Sequence, residues 1–446
     1  MKKKSIISSI LVGAVAVTAL VGLTGCAGDP PHSHTYGQDI YYQVSSDNSK
    51  AYTFRKCSCG HDSDPVEMAA GSYVIANADS TSSNYAQKVL NSNINNKTVV
   101  FAPGEYNQVL ELSPSRETAI IYDAILNGTL PTGEPSTTIV SLNDVVENKY
   151  YIYERNYENI TFAGTEGAVF KNRVLMYTGN ARGYNSVSEN LPERYDPIKD
   201  DYNWPVGMTA NEAFYMLQNY ENLNFVNMDF EGPNGRIHFH NGYSYVKKAE
   251  NLLVKNCTFV TDTPHHSTSP TQGSSWDAAI RIGTTCSYPY STTTGYDKTQ
   301  SLVISKNVVI ENNMVDKHFI GIYVQATDGI KIKNNIVKNT EDVGISVQPS
   351  GSGSSFGTIQ IENNSVDTTS NRAIRIANCS NATINVVNNA FANIVTLDDA
   401  NSVVKASSLN GCTFTFENNT VDGDSMEPNA DKTLSAYNFK KVEVAE

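Results

Sequence analysis

Six short segments of this 446-residue chain repeat one pattern, a single side chain between two apolar ones. They read Ile237-His-Phe, Ile280-Arg-Ile, Ile322-Tyr-Val, Ile345-Ser-Val, Ile374-Arg-Ile and Val404-Lys-Ala. Residues two apart on a strand share a face, so alignment on the apolar pairs sets the middle residues in one outward column. That column is His238, Arg281, Tyr323, Ser346, Arg375 and Lys405. Arg236 stands one place before the first pair, and His240, Gln325 and Gln348 stand one place after their pairs. A cation that neutralises a carboxylate, beside a base that takes the adjacent proton, is what an elimination needs. Arg281 or Arg375 suits the first role, and His238, His240 or Tyr323 suits the second. Arg236, His240, Trp276, Gln325, Gln348 and Lys405 are candidates to hold a ligand. A plain polar β-face accounts for the same residues, and His238 with His240 is also a spacing that can take a metal.

These strands need a scaffold, and the chain supplies one by repetition. An Asn step followed by an apolar pair recurs as Asn256-Cys-Thr-Phe, Asn312-Asn-Met-Val, Asn334-Asn-Ile-Val, Asn363-Asn-Ser-Val, Asn388-Asn-Ala-Phe and Asn418-Asn-Thr-Val. Asn227-Met-Asp-Phe is a degenerate earlier copy. A second alternating strand precedes most steps, as in Ile330-Lys-Ile-Lys and Thr358-Ile-Gln-Ile-Glu. Each unit therefore holds two or three short strands that bury nothing alone and a continuous core when stacked. Asn tolerates the left-handed conformation at a bend, and its amide can bond neighbouring backbone or the amide of the next unit.

The pattern resembles the right-handed parallel β-helix of the pectin-lyase-like superfamily, over about residues 69–446. The start resembles it too: Asn84-Tyr-Ala-Gln-Lys-Val-Leu suits a short helix capping the open end. Thr98-Val-Val-Phe-Ala-Pro-Gly-Glu-Tyr then suits a first-coil strand and turn. The resemblance implies an all-β solenoid whose outer face binds an extended polysaccharide and either cleaves it or only holds it. Hydrolysis needs paired carboxylates. The column has none, and the Asp-Asp and Gly-His-Gly signatures of polygalacturonases are missing, so lyase-type cleavage of an acidic glycan is the favoured reading. Segments 261–277 and 284–298 interrupt the repeat on both sides of Arg281, and 181–211 is a third insertion. Their aromatics, Trp276 among them, are suited to stacking on sugar rings.

The N-terminus reads separately. Lys2, Lys3 and Lys4 precede an apolar run from Ile6 to Leu23, which ends in Leu23-Thr-Gly-Cys26. That end resembles a bacterial lipobox, which implies a signal peptide over 1–25, lipidation of Cys26, and an exported chain tethered to the membrane and facing outside. Residues 26–68 form a linker with His32, His34, Cys57 and Cys59, donors that suit a structural zinc, with a disulfide or free thiols as alternatives. Within it, Ile40-Tyr-Tyr-Gln-Val and Ala51-Tyr-Thr-Phe alternate like a hairpin. Cys257, Cys379 and Cys412 lie inside apolar repeats and read as buried small hydrophobes.

Composition agrees with this organisation. There are 48 Asn, more than turns of an ordinary domain require. Charged residues are 18% of the chain, too few for a coiled coil or an acidic disordered tail. Net charge is −13, and loss of three leader lysines makes it −16, which argues against a nucleic-acid partner. A monomer that meets polysaccharide and membrane is the expected form.

Overall fold

The computed structural model describes residues 34–78, 85–112, 119–123, 139–140, 149–177, 181–183, 213–240, 248–266, 277–283, 290–291, 295–296, 305–325, 327–348, 357–369, 371–394, 403–428 and 436–441. The chain is a parallel β-helix with three ladders. Each coil runs through one strand of each ladder. The fifth, for example, contributes Ser305–Glu311, Met314–Asp316 and Ile320–Gln325. The first ladder begins with Tyr73–Ala76 beside Thr98–Phe101 and ends with Thr413–Glu417. Its partners are in register throughout, as Leu252↔Val308↔Ile330↔Ile359↔Ile384↔Phe414 shows.

Register explains the core. In the third ladder Ile237, Ile280, Ile322, Ile345, Ile374 and Val404 stack coil on coil, and all are fully buried. Each such aliphatic side chain contributes roughly 1.5–3 kcal/mol by leaving water. In the second ladder Tyr106, Phe170, Phe230 and Phe259 stack in the same way, the last two with centroids 4.8 Å apart.

The Asn steps divide into two jobs. Asn227, Asn256, Asn312, Asn334, Asn363, Asn388 and Asn418 take φ between 54° and 57°, turning the chain from the first ladder to the second. The residue after each points inward. Asn313, Asn335, Asn364, Asn389 and Asn419 are buried, and each of the first four donates from Nδ2 to the next Oδ1 at 2.9–3.0 Å. The sequence separations along this ladder are 22, 29, 25 and 30 residues, so coils of different length keep one bond geometry. A further Asn ladder, outside the Asn steps of the sequence pattern, runs Asn96, Asn159, Asn222, Asn251 and Asn307.

The ends are closed as the repeat requires. Helix Tyr85–Asn91 places Ala86 and Leu90 over the first coil. At the other end, strands Asp424–Pro428 and Ala436–Lys441 turn antiparallel, the latter pairing with Val404–Ser407. Antiparallel pairing covers the last strands of the second and third ladders.

The segment before the solenoid departs from a linker. Tyr41–Val44, Ala51–Phe54 and Val66–Glu67 form a small antiparallel sheet, the hairpin that the alternation predicts with a third strand added. It rests against the first ladder: Asp39 pairs with Lys255 at 2.7 Å, and Asn227 Nδ2 donates to the Ile40 carbonyl at 2.8 Å. Residues 1–33, with the leader, Cys26 and His32, lie outside the described residues. Among the described residues, no helix is long and apolar enough to cross a membrane.

Candidate functional site

The outward column exists as one continuous register. His238 pairs with Arg281, Arg281 with Tyr323, Tyr323 with Ser346, Ser346 with Arg375, and Arg375 with Lys405. Consecutive members are one inter-strand step apart, about 4.8 Å. Stacking of coils whose lengths differ brings together residues that are 23 to 43 positions apart in sequence.

The column is not the open face that alternation alone implies. His238, Arg281, Tyr323 and Ser346 are all less than 7% exposed, whereas Arg375 is exposed and Lys405 half-buried. Tyr323 belongs to a small apolar group with Ala278, Ile320 and Phe319 outside the main core. The Arg281 guanidinium lies over its ring at 5.4 Å. Gly283 lies beside that arrangement, where a Cβ would stand 3.4 Å from an Arg281 nitrogen, at ordinary contact distance. Gln348 donates to the Ser346 hydroxyl at 2.8 Å, and Gln325 is half-buried one coil earlier. His240 holds the strand position paired with Gly283. Trp276 lies outside the described residues, as do 184–212 and 267–276 of the insertions.

One place before the apolar pairs, Gly321 and Gly344 occupy a tight corner. A Cβ at either would come within 2.5 Å of a neighbouring side chain, and at Gly321 within 2.5 Å of the Gly344 carbonyl as well. Arg236 begins this position. It is 3% exposed, and its Nη1 lies 3.5 Å from Asp277 Oδ1, so it is engaged with a carboxylate instead of presented to solvent.

Asp277 is the acidic group that the column lacks, and strand alternation could not find it. It sits at the corner leading into Ala278–Gly283, with its side chain fully buried. Its Oδ1 also meets His265 Nδ1 at 2.6 Å. A carboxylate on Nδ1 orients an imidazole and leaves Nε2 for proton transfer. The His265 side chain keeps 33% of its surface exposed. Burial, then the charge of Arg173, brings Arg236 down to about 10. His318, at the same corner one coil on, is pushed down to about 3 by burial and then by the charge of Arg236. Its Nε2 has no hydrogen-bond partner among the described residues. His266 meets Glu341 at 2.5 Å and stands edge-on to Phe319. The only sequence signal for this corner was the His265-His266 tandem beside an interrupted repeat.

The N-terminal donors also converge. His34, Cys57 and Cys59 place one ligand atom each within 4.8 Å of one another. Hydrogen bonding from Cys59, then from His34, holds the Cys57 thiol at about 6. Cys257 and Cys379 are buried free thiols as expected, while Cys412 is only half-buried. Burial pushes Cys257 and Cys379 up to about 12, which leaves both as unreactive apolar groups.

No protein-family profile matches the sequence. No curated protein matches it either. Among solved structures, a family 28 exopolygalacturonase from Yersinia enterocolitica is similar at 10% identity, over 84% of this chain and 83% of that enzyme, with a TM-score of 0.28. The fold assignment rests on the three in-register ladders of the chain itself.

Proposed function

We propose that this chain is an exported lipoprotein, tethered through Cys26, whose β-helix binds an acidic polysaccharide along the third ladder and cleaves it by elimination. The observation that carries the reading is the unbroken column from His238 to Lys405, a row of cationic and proton-accepting groups on a chain of net charge −13. Exposed Arg375 and half-buried Lys405 receive carboxylates of the polymer, and Arg281 neutralises the carboxylate of the reacting unit. Neutralisation acidifies the neighbouring C–H bond. A deprotonated Tyr323, one coil from Arg281, takes that proton on its phenolate oxygen, with His238 as the second candidate. The electron pair left behind forms the new carbon–carbon double bond, the glycosidic carbon–oxygen bond breaks, and the leaving oxygen takes a proton. Enclosure of Arg281 and Tyr323 strengthens their electrostatic effect on a bound carboxylate.

The test is a panel of polyuronates and glycosaminoglycans incubated with the mature chain, read by ultraviolet absorbance of the unsaturated product and by new chain ends. Elimination predicts both signals from the wild type, and neither from Arg281→Ala. Saturable retention of a polymer without new chain ends would replace the reading with a binding rod. New chain ends without ultraviolet product would move it to hydrolysis.

A further inference from the structure

The short segment ahead of the solenoid has almost no core. Of its residues from 34 to 68, Ala51 and Cys57 are the only buried apolar ones. Three strands of two to four residues cannot hold a fixed shape on that burial alone. A cross-link of some kind is needed, and the geometry indicates which.

We infer that His34, Cys57 and Cys59 form a structural binding site for a thiophilic divalent cation of the zinc class. Two backbone features converge the donors. Tyr36 and Cys57 form an antiparallel bridge, which sets His34 across from the Cys57 turn. The Cys57–Gly60 turn is closed by Gly60 N–H donating to the Cys57 carbonyl at 2.9 Å, and Cys57 N–H donates to His61 at 2.8 Å. Gly60 takes φ 85°, a conformation that allows the reversal.

The distances match the coordination chemistry. Zinc–sulfur bonds of about 2.3 Å and zinc–nitrogen bonds of about 2.05 Å at a tetrahedral angle put sulfur and nitrogen about 3.6 Å apart. Cys59 Sγ and His34 Nδ1 are 3.4 Å apart. All three ligand atoms lie within 4.8 Å of one another, close enough to share one ion. Two thiolates with an imidazole select zinc-like ions over calcium or magnesium, which take oxygen ligands. His61 stacks on the His34 ring with centroids 4.4 Å apart and planes 8° from parallel. It is placed to orient His34 or, by a side-chain rotation, to supply the fourth ligand. Binding would order the segment, and through Asp39–Lys255 it would fix that segment on the first ladder.

The test uses the full mature chain, reduced, stripped of metal and titrated with cobalt(II) alone. A thiolate-to-cobalt charge-transfer band and tetrahedral visible bands are expected to saturate at one equivalent, and zinc should displace them. Cys59→Ser and His34→Ala should abolish the bands, and Cys257→Ala should leave them intact. Zinc should also slow alkylation of Cys57 and Cys59 and proteolysis within 34–68. Far-ultraviolet circular dichroism of each variant checks that the solenoid is folded. Absence of a charge-transfer band in the reduced wild type would overturn the inference. So would a band that survives Cys59→Ser. A Cys57–Cys59 disulfide that persists in the purified chain, with no metal uptake after reduction, would assign the cross-link to sulfur instead.

Discussion

The Arg281 guanidinium carbon lies 5.4 Å from the centre of the Tyr323 ring, on the next coil of the same column. A cation over an aromatic face at this depth contributes about 0.5–2 kcal/mol. The ring face is common to Tyr and Phe, but the hydroxyl is not. Tyr323→Phe is therefore expected to hold the unfolding free energy, measured in urea, to within about 0.5 kcal/mol. It should lower product formation at least about 100-fold, through kcat and not through polymer binding, because proton transfer is lost. Unfolding curves and the ultraviolet assay on one preparation check both halves.

Asp277 and Arg236 are a buried ion pair, with side chains 0% and 4% exposed. Removal of one partner strands the other charge, which typically costs about 3–5 kcal/mol. Asp277→Leu and Arg236→Met alone should each fall in that range. The double variant Asp277→Leu with Arg236→Met should recover at least half of the loss, since two apolar side chains leave no buried charge behind. Chemical denaturation of the two single variants and the double variant gives the coupling energy directly.

Asn335 donates to the Ile310 carbonyl and to Asn364, and it accepts from the backbone and side-chain nitrogens of Asn313. Truncation leaves several buried polar groups without partners, at roughly 1–3 kcal/mol each. Asn335→Ala should destabilise the chain by about 3 kcal/mol or more. An exposed Asn at the preceding step, Asn334→Gly, should cost under about 1 kcal/mol, because Gly also takes its φ of 56°. The denaturant midpoints of the two variants should rank in that order.

His318 gives the stability a pH dependence of known sign. Its imidazole accepts a proton only near pH 3 when folded, against 6.5 in the unfolded chain. Between those values the unfolded state binds the extra proton. Stability should therefore fall by about 1.4 kcal/mol for each pH unit below about 6.5, down to about 3. His318→Asn removes this contribution. The difference in unfolding free energy between pH 7.5 and 4.5 should shrink by roughly 2–3 kcal/mol in the variant. An unchanged difference would mean that His318 takes up its proton as readily in the folded chain as in the unfolded one.

Membrane attachment is the last expectation with a direct readout. Expression in a lipoprotein-processing bacterium with labelled fatty acid should give a labelled, membrane-fraction chain. Cys26→Ala should abolish the label and release the chain from that fraction. Label that remains on Cys26→Ala would place the anchor elsewhere.

The linear chain determined what depends on local periodicity. Apolar residues at alternate positions specify strands, and paired Asn at each step specifies a left-handed bend with a stacked amide, so the solenoid and the column His238–Lys405 could be read before any coordinates. Cys257 and Cys379 were legible for the same reason, as small residues within an apolar run, whereas Cys412 is only half-buried. What tertiary structure decided is burial and convergence. Alternation states which way a side chain points from its own strand, not what covers it, so the enclosure of His238, Arg281 and Tyr323 depends on neighbouring elements. Asp277 meets His265 and Arg236 from three different segments, because a corner has no period to follow. Residues 34–68 likewise became a docked sheet through Asp39–Lys255 and Asn227–Ile40, contacts spanning about 190–220 residues that no local pattern encodes.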